Sequence, residues 1–221
     1  MIVPYGEHPS QVAELFEPAG EARGAAVLIH GGFWRAAYDR HLMDELCRDL
    51  AARGWAAWNL EYRRLGDGGG WPETFDDVEA AIGAIGASNT LLPAIGHSAG
   101  GHLALWAAAR RLVTHAVAQA GVVDLAEAAR LGLAGRVVDE LVAPELYDRA
   151  SPAAMLPLGV PHLLVHGEQD DTVPVAISRA YRAAAVAAGD DVSLVTLSGV
   201  GHFEHLDPAS DAWRAVVEWL P

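Results

Sequence analysis

No lysine occurs anywhere in the 221 residues, so all 15 basic side chains are arginines. That absence removes every mechanism built on a side-chain amine: Schiff-base and pyridoxal chemistry, a phosphate-binding loop with its Gly-Lys pair, and a serine–lysine dyad. Cysteine is almost absent as well. Cys47 has no second thiol to pair with, and neither a CxxC pair nor an HExxH spacing is present, so no internal disulfide and no metal site are expected. Long apolar runs are missing too, since none reaches the roughly 18 residues of a membrane span. The opening MIVPYGEHPS carries neither the basic start nor the apolar stretch of an export signal. The cytoplasm is the expected location. Positive charge is in short supply, and the formal net charge of −14 repels phosphate backbones and anionic headgroups. Nucleic acid and membrane surfaces are therefore not expected partners. A small-molecule substrate is expected, and the composition leaves a homodimer open.

What the chain has in plenty is apolar material. Hydrophobic residues make up 52% of it and charged residues 20%, enough to bury a core and too little charge for extended disorder. The length fits a single domain over 1–221. Residues 24–29, 55–60, 91–95, 115–120, 162–165 and 192–197 read as strands, and 12–16, whose alternation is weaker, as an antiparallel edge strand. Helices are predicted over 39–53, with Leu42, Leu46 and Leu50 on one face, and from Pro72, with Glu73, Asp76 and Asp77 near its start. Further helices are predicted over 99–110, 174–188 and 208–220. Strands alternating with helices imply an α/β fold, a mainly parallel sheet covered on both faces. From 122 to 156 the rhythm breaks into an irregular, mostly helical insertion, expected to lie over the carboxyl ends of the strands, where such sheets place their sites.

Four short segments carry chemistry. GHSAG (96–100) sits between a predicted strand and a predicted helix, the context of a GxSxG nucleophile elbow. Its glycines permit a tight turn that leaves the Ser98 hydroxyl strained and exposed at the positive end of a helix. A serine hydroxyl is a poor nucleophile until a base removes its proton, and that base needs a carboxylate to orient it. HGEQDDTVP (166–174) follows one strand and offers Asp170 and Asp171, which spacing does not separate; Glu168 and Asp124 read as solvated or capping. SGVGHFEHLDP (198–208) follows the last strand and offers His202, favoured over His205 because Gly199 and Gly201 let its loop project a ring. The chain order of serine, acid and histidine is that of α/β hydrolases. HGGFWR (30–35) ends an early strand, where small residues bring backbone amides to a substrate. Gly32 and Phe33, with Ala99 after the serine, are the expected oxyanion donors. His30, His97, His102 and His166 read as packed, hydrogen-bonded rings. Among seven tryptophans, Trp213 and Trp219 are expected in the core, and Trp34 and Trp71 as walls of an aromatic substrate pocket.

On these motifs the chain resembles α/β hydrolases from about Tyr5 to its end. HGGFW is similar to the HGGxW oxyanion motif of serine-type kynurenine formamidases, and GHSAGGHL to their nucleophile elbow. HGEQDDTVP is similar to an HGxxDxxVP acid loop, a pattern on which Asp170 rather than Asp171 aligns with the acid. YGEHPSQ and NLEYRRLGDGGGWPETFDDV resemble segments of small bacterial esterase-like and peptidase-like hydrolases. The resemblance implies an α/β-hydrolase fold and a serine hydrolase that needs no cofactor. In it Ser98 attacks a small ester or an aryl formamide, His202 moves the proton and Asp170 orients His202. Two other readings are a small exopeptidase-like hydrolase and a ligand-binding protein that keeps the scaffold without turnover.

Overall fold

The computed structural model describes residues 1–86 and 91–221. Its strands are β1 (Ile2–Pro4), β2 (Val12–Phe16), β3 (Ala25–Ile29), β4 (Ala56–Leu60), β5 (Pro93–His97), β6 (His115–Gln119), β7 (His162–Gly167) and β8 (Val192–Leu197). They form one sheet in the order β1-β2-β4-β3-β5-β6-β7-β8. From β4 to β8 every pairing is parallel. β2 runs antiparallel to β4, as expected, with Ala13 opposite Leu60 and Phe16 opposite Ala57. It is not the edge, however. β1 pairs along its outer side, and three residues are too few for alternation to reveal that strand in the sequence.

The helices are α1 (Asp44–Ala52), α2 (Glu73–Gly86), α3 (Ala99–Ala109), α4 (Leu125–Arg130), α5 (Val137–Leu141), α6 (Tyr147–Ala150), α7 (Val175–Ala187) and α8 (Asp211–Trp219). The helix predicted from residue 39 begins instead as a 3-10 turn, Arg40–Met43, because the Asp39 carboxylate caps the His41 N–H at 3.0 Å. The last helix starts at Asp211 rather than 208, where the Ser210 hydroxyl accepts from the Trp213 N–H at 3.0 Å.

Period-two geometry builds the two halves of the core. Ala25, Val27 and Ile29 of β3 face the layer of α2, α3 and α7, while Ala26 and Leu28 face α1 and α8. Trp213 is buried in the second layer and donates from Nε1 to Asp49 at 2.7 Å, tying α8 to α1; Trp219 packs partly buried on the same layer. Cys47 is buried there too, and burial pushes its thiol up, which leaves it inert as a nucleophile. The 122–156 insertion is built into the first layer. Leu125, Ala128, Val137, Val138 and Leu141 share one apolar cluster with α2 and α3, and Asp124 caps α4 by accepting from the Glu127 N–H at 3.1 Å. Among the described residues no helix is long and apolar enough to cross a membrane.

Candidate active site

Every side chain of β5 is buried, and the chain then reverses through Ser98 at φ 55, ψ −117 before entering α3. Those angles are strained for any residue with a Cβ. The two glycines of GHSAG explain why the turn closes. A Cβ on Gly96 would lie 2.0 Å from the Gly100 carbonyl oxygen, and one on Gly100 would lie 1.9 Å from that of Ile29, so the first turn of α3 packs directly on β5 and β3. Ser98 thus sits at the amino end of an 11-residue helix whose first N–H groups have no intrahelical acceptor.

The loop after β3 comes up against this turn. Phe33 and Trp34 both have positive φ, 51° and 54°, and a Cβ on Gly31 would fall 3.0 Å from the Ser98 Cβ. Buried side chains behind the loop hold it. Tyr62 donates its hydroxyl to the His30 carbonyl at 2.8 Å, and the His30 ring stacks on Tyr62 and contacts Glu61 through Nε2 at 2.9 Å. Glu61 in turn pairs with Arg64 at 3.1 Å and accepts from the Arg40 N–H at 3.1 Å. Burial opposes ionisation of Glu61, but His30, Arg64 and the Arg40 amide outweigh it and hold its carboxyl below the ordinary value. Among the described residues, the N–H groups of Gly32, Phe33 and Ala99 donate no hydrogen bond.

Asp170, in the loop after β7, has a side chain with no exposed surface. One oxygen accepts the N–H groups of Thr172 at 2.9 Å and Val173 at 2.8 Å. The other contacts His202 Nδ1 at 2.8 Å and His166 Nε2 at 3.2 Å. Burial works against its charge, yet the hydrogen bonds from His166, His202 and Val173 prevail and hold the carboxyl far below the usual range. Asp171 points to solvent and meets only the Thr172 hydroxyl at 3.2 Å, so the structure separates two carboxylates that spacing could not. Glu168 is exposed and pairs with Arg179 at 2.7 Å.

With Nδ1 of His202 engaged by Asp170, Nε2 is the free nitrogen of a ring that is only 5% exposed. Ser98 and His202 wall one small pocket of about 60 Å³, together with Gly32, Phe33, Tyr38 and Phe203. No hydrogen bond joins Ser98 Oγ to His202 among the described residues. His97 does link the two loops: its Nε2–H donates to the His202 carbonyl at 2.8 Å, and its ring lies 4.7 Å from that of His202. Burial and the neighbouring His202 pull its pKa to about 3. The sequence placed His97 and His166 as packed rings; the pattern gave no sign that one reaches the His202 main chain and the other the Asp170 carboxylate. His205 is buried, and neither ring nitrogen has a partner among the described residues.

The two tryptophans expected to wall the pocket lie elsewhere. Trp34 is fully buried, edge-on to His102 with ring centroids 5.2 Å apart. Trp71 lines a separate cleft of about 520 Å³ with Phe75 and Trp106, which shares no residue with the pocket at Ser98.

A curated relative, esterase LipQ of Mycobacterium tuberculosis (strain ATCC 25618 / H37Rv), is 30% identical over 202 residues, covering 76% of this chain and 47% of that protein. The chain therefore spans about half the length of the curated relative it matches. Among solved structures, esterase Est2 of the planctomycete Thermogutta terrifontis gives a TM-score of 0.80 at 24% identity, over 99% of this chain and 89% of that one. Esterase B from Lactobacillus rhamnosis gives 0.83 at 21% identity, over 98% and 82%. These likenesses bear out the α/β-hydrolase fold. The model for the prolyl oligopeptidase family matches residues 56–220, a range that holds the serine turn, the acid loop and the histidine loop. The chain belongs to the prolyl oligopeptidase family.

Proposed function

We propose that this protein is a serine hydrolase of small esters that works through an acyl-enzyme intermediate. The observation that carries the proposal is the 2.8 Å contact of His202 Nδ1 with Asp170, on a ring that shares a pocket with Ser98. Asp170 fixes the tautomer, so the neutral ring turns a lone pair outward at Nε2. As Ser98 Oγ adds to the substrate carbonyl carbon, Nε2 takes its proton. The N–H groups of Gly32, Phe33 and Ala99 receive the oxyanion. The proton then passes to the leaving oxygen, and water repeats the sequence on the acyl enzyme. The Ser98–His202 bond closes in this scheme when substrate binds, as catalytic hydrogen bonds often do.

Size limits the acyl group. The pocket of about 60 Å³ is well below the roughly 300 Å³ at which sites begin to enclose whole drug-sized ligands. We expect kcat/KM for p-nitrophenyl esters to fall at least about tenfold from acetate to hexanoate, since forcing extra methylenes into a packed site costs roughly 1–3 kcal/mol. A flat or rising profile would remove the short-acyl assignment, and failure of a fluorophosphonate probe to label wild type would remove the serine mechanism. The same small pocket favours a second reading, an aryl formamide, because formyl is the smallest acyl group. Comparing kcat/KM on N-formylkynurenine with that on phenyl acetate separates the two.

His97 is expected to matter through His202. Replacing it with Ala leaves the His202 carbonyl without its buried donor, and kcat should fall about ten- to hundredfold. His97→Gln, whose amide can donate from a similar reach, should recover most of that loss. Equal kcat in wild type and His97→Ala would show that the bond positions nothing.

A further inference from the structure

We infer that Tyr38 and Phe203 recognise an aromatic ring in the leaving group of the substrate, outside the small pocket and against its mouth. The inference rests on the serine-hydrolase proposal above, and it moves the aromatic contact away from Trp34 and Trp71. Among the described residues, only six large apolar side chains are exposed: Met1, Ile2, Tyr38, Leu131, Val186 and Phe203. Tyr38 and Phe203 are 47% and 65% exposed, and both line the pocket that holds Ser98 and His202. They arrive from unrelated loops, one after β3 and one after β8, so their meeting at the same opening is not a matter of sequence adjacency.

Each aromatic covers one half of the machinery. A Cβ built on Gly32 would lie 2.4–2.6 Å from the Tyr38 Cβ, Cγ and Cδ2, so that ring lies over the expected oxyanion loop. Phe203 stands at 90° to the His202 ring with centroids 5.1 Å apart, beside the base. With the short acyl group of the proposed reaction taking the pocket of about 60 Å³, a leaving group on the carbonyl carbon at Ser98 projects past these two faces. Exposed aromatic faces gain by taking up a ring in offset or edge-to-face contact. The substrate class is therefore a short-acyl ester of a phenolic or benzylic alcohol. Because these contacts form away from the reacting atoms, they act on KM more than on kcat.

The test compares benzyl acetate with cyclohexylmethyl acetate, two primary-alcohol esters with the same acyl group and rings of similar size. Wild type should prefer the benzyl ester about tenfold in kcat/KM, and Tyr38→Leu and Phe203→Leu should each cut that ratio about threefold or more through a raised KM for the benzyl ester. Val186→Ala, at an exposed apolar side chain on α7, should leave the ratio as it was. A wild-type ratio near one, or a ratio unmoved in both leucine variants, overturns the inference. So does a fall in kcat that is equal for both esters, because Phe203 would then merely hold its neighbour His202 in place. If wild type turns over neither ester and takes no fluorophosphonate label, the hydrolase proposal falls with it. Turnover with no aromatic preference removes the inference alone.

Discussion

Ser98→Gly should lower kcat by about 10⁶-fold, the scale of losing a catalytic serine, and at the same time raise the melting temperature. The gain follows from φ 55, ψ −117 at Ser98, a conformation that costs roughly 1–3 kcal/mol for a residue with a Cβ and that glycine adopts freely. Glycine gives back roughly 0.5–1 kcal/mol in unfolded-chain entropy. The net of about 1 kcal/mol corresponds to a rise of roughly 2–4 °C in Tm for a chain of this size. Ser98→Ala keeps the strained Cβ, so it should lose the same activity without the thermal gain. The pair of variants separates nucleophile chemistry from stored strain. Calorimetry and ester turnover on both decide it: a glycine variant that melts below the alanine variant shows that the turn is not strained, and one that retains activity within tenfold of wild type shows that Ser98 is not the nucleophile.

The parallel strands were legible because a strand covered on both faces is a short apolar run, as AAVLI in β3 and LLV in β7 are. The serine turn was legible for a different reason. GHSAG encodes a close packing of helix on strand, since a Cβ at position 100 would lie 1.9 Å from the Ile29 carbonyl oxygen, so its spacing carries three-dimensional information. Asp170 and Asp171 show the limit of such reasoning. They differ in one step along a loop, and what sends the first inward is the pair of N–H groups at Thr172 and Val173 closing on its carboxylate. Family resemblance aligned Asp170 with the acid position, and Asp170 is the one whose carboxylate meets His202 at 2.8 Å; residue spacing did not distinguish the two. Trp34 and Trp71 both sit in loops, and a loop position does not fix which way a ring turns. Positive φ at Phe33 and Trp34 turns Trp34 into the core. The Trp71 N–H is held by the Leu141 carbonyl of the insertion at 2.8 Å, and its ring lines the cleft beside α2 and α3. Tyr38 and Phe203 fill the place at Ser98 instead, and in the sequence they were an aromatic in a loop and an aromatic after a histidine.

Acid should unfold this protein earlier than its carboxylates alone would. His97, His102 and His205 are buried, and burial disfavours the charged ring, drawing their pKa values to about 3, 4 and 3. An unfolded histidine titrates near 6.5. Below that pH the unfolded chain binds three protons that the fold refuses, so stability falls as pH falls, by about 1.4 kcal/mol per unit for each ring. The combined loss reaches about 10 kcal/mol by pH 4, against a total stability of roughly 5–15 kcal/mol for an ordinary domain. Asp170 acts later and in the same direction. Its folded carboxyl is held below the ordinary value, so the stability it adds is complete above about pH 4 and is lost only below it. Urea unfolding at pH 7.5 and pH 5 measures the histidine contribution before the carboxylates enter. His102 is the ring to change, because it touches Trp34, Phe75 and the Ala150 carbonyl rather than the proposed catalytic groups. His102→Phe should be less stable at pH 7.5 through the lost bond to Ala150, yet the drop in stability between the two pH values should shrink by about 2 kcal/mol. An unchanged drop, or a wild type equally stable at both pH values, would mean that these rings take up protons inside the fold.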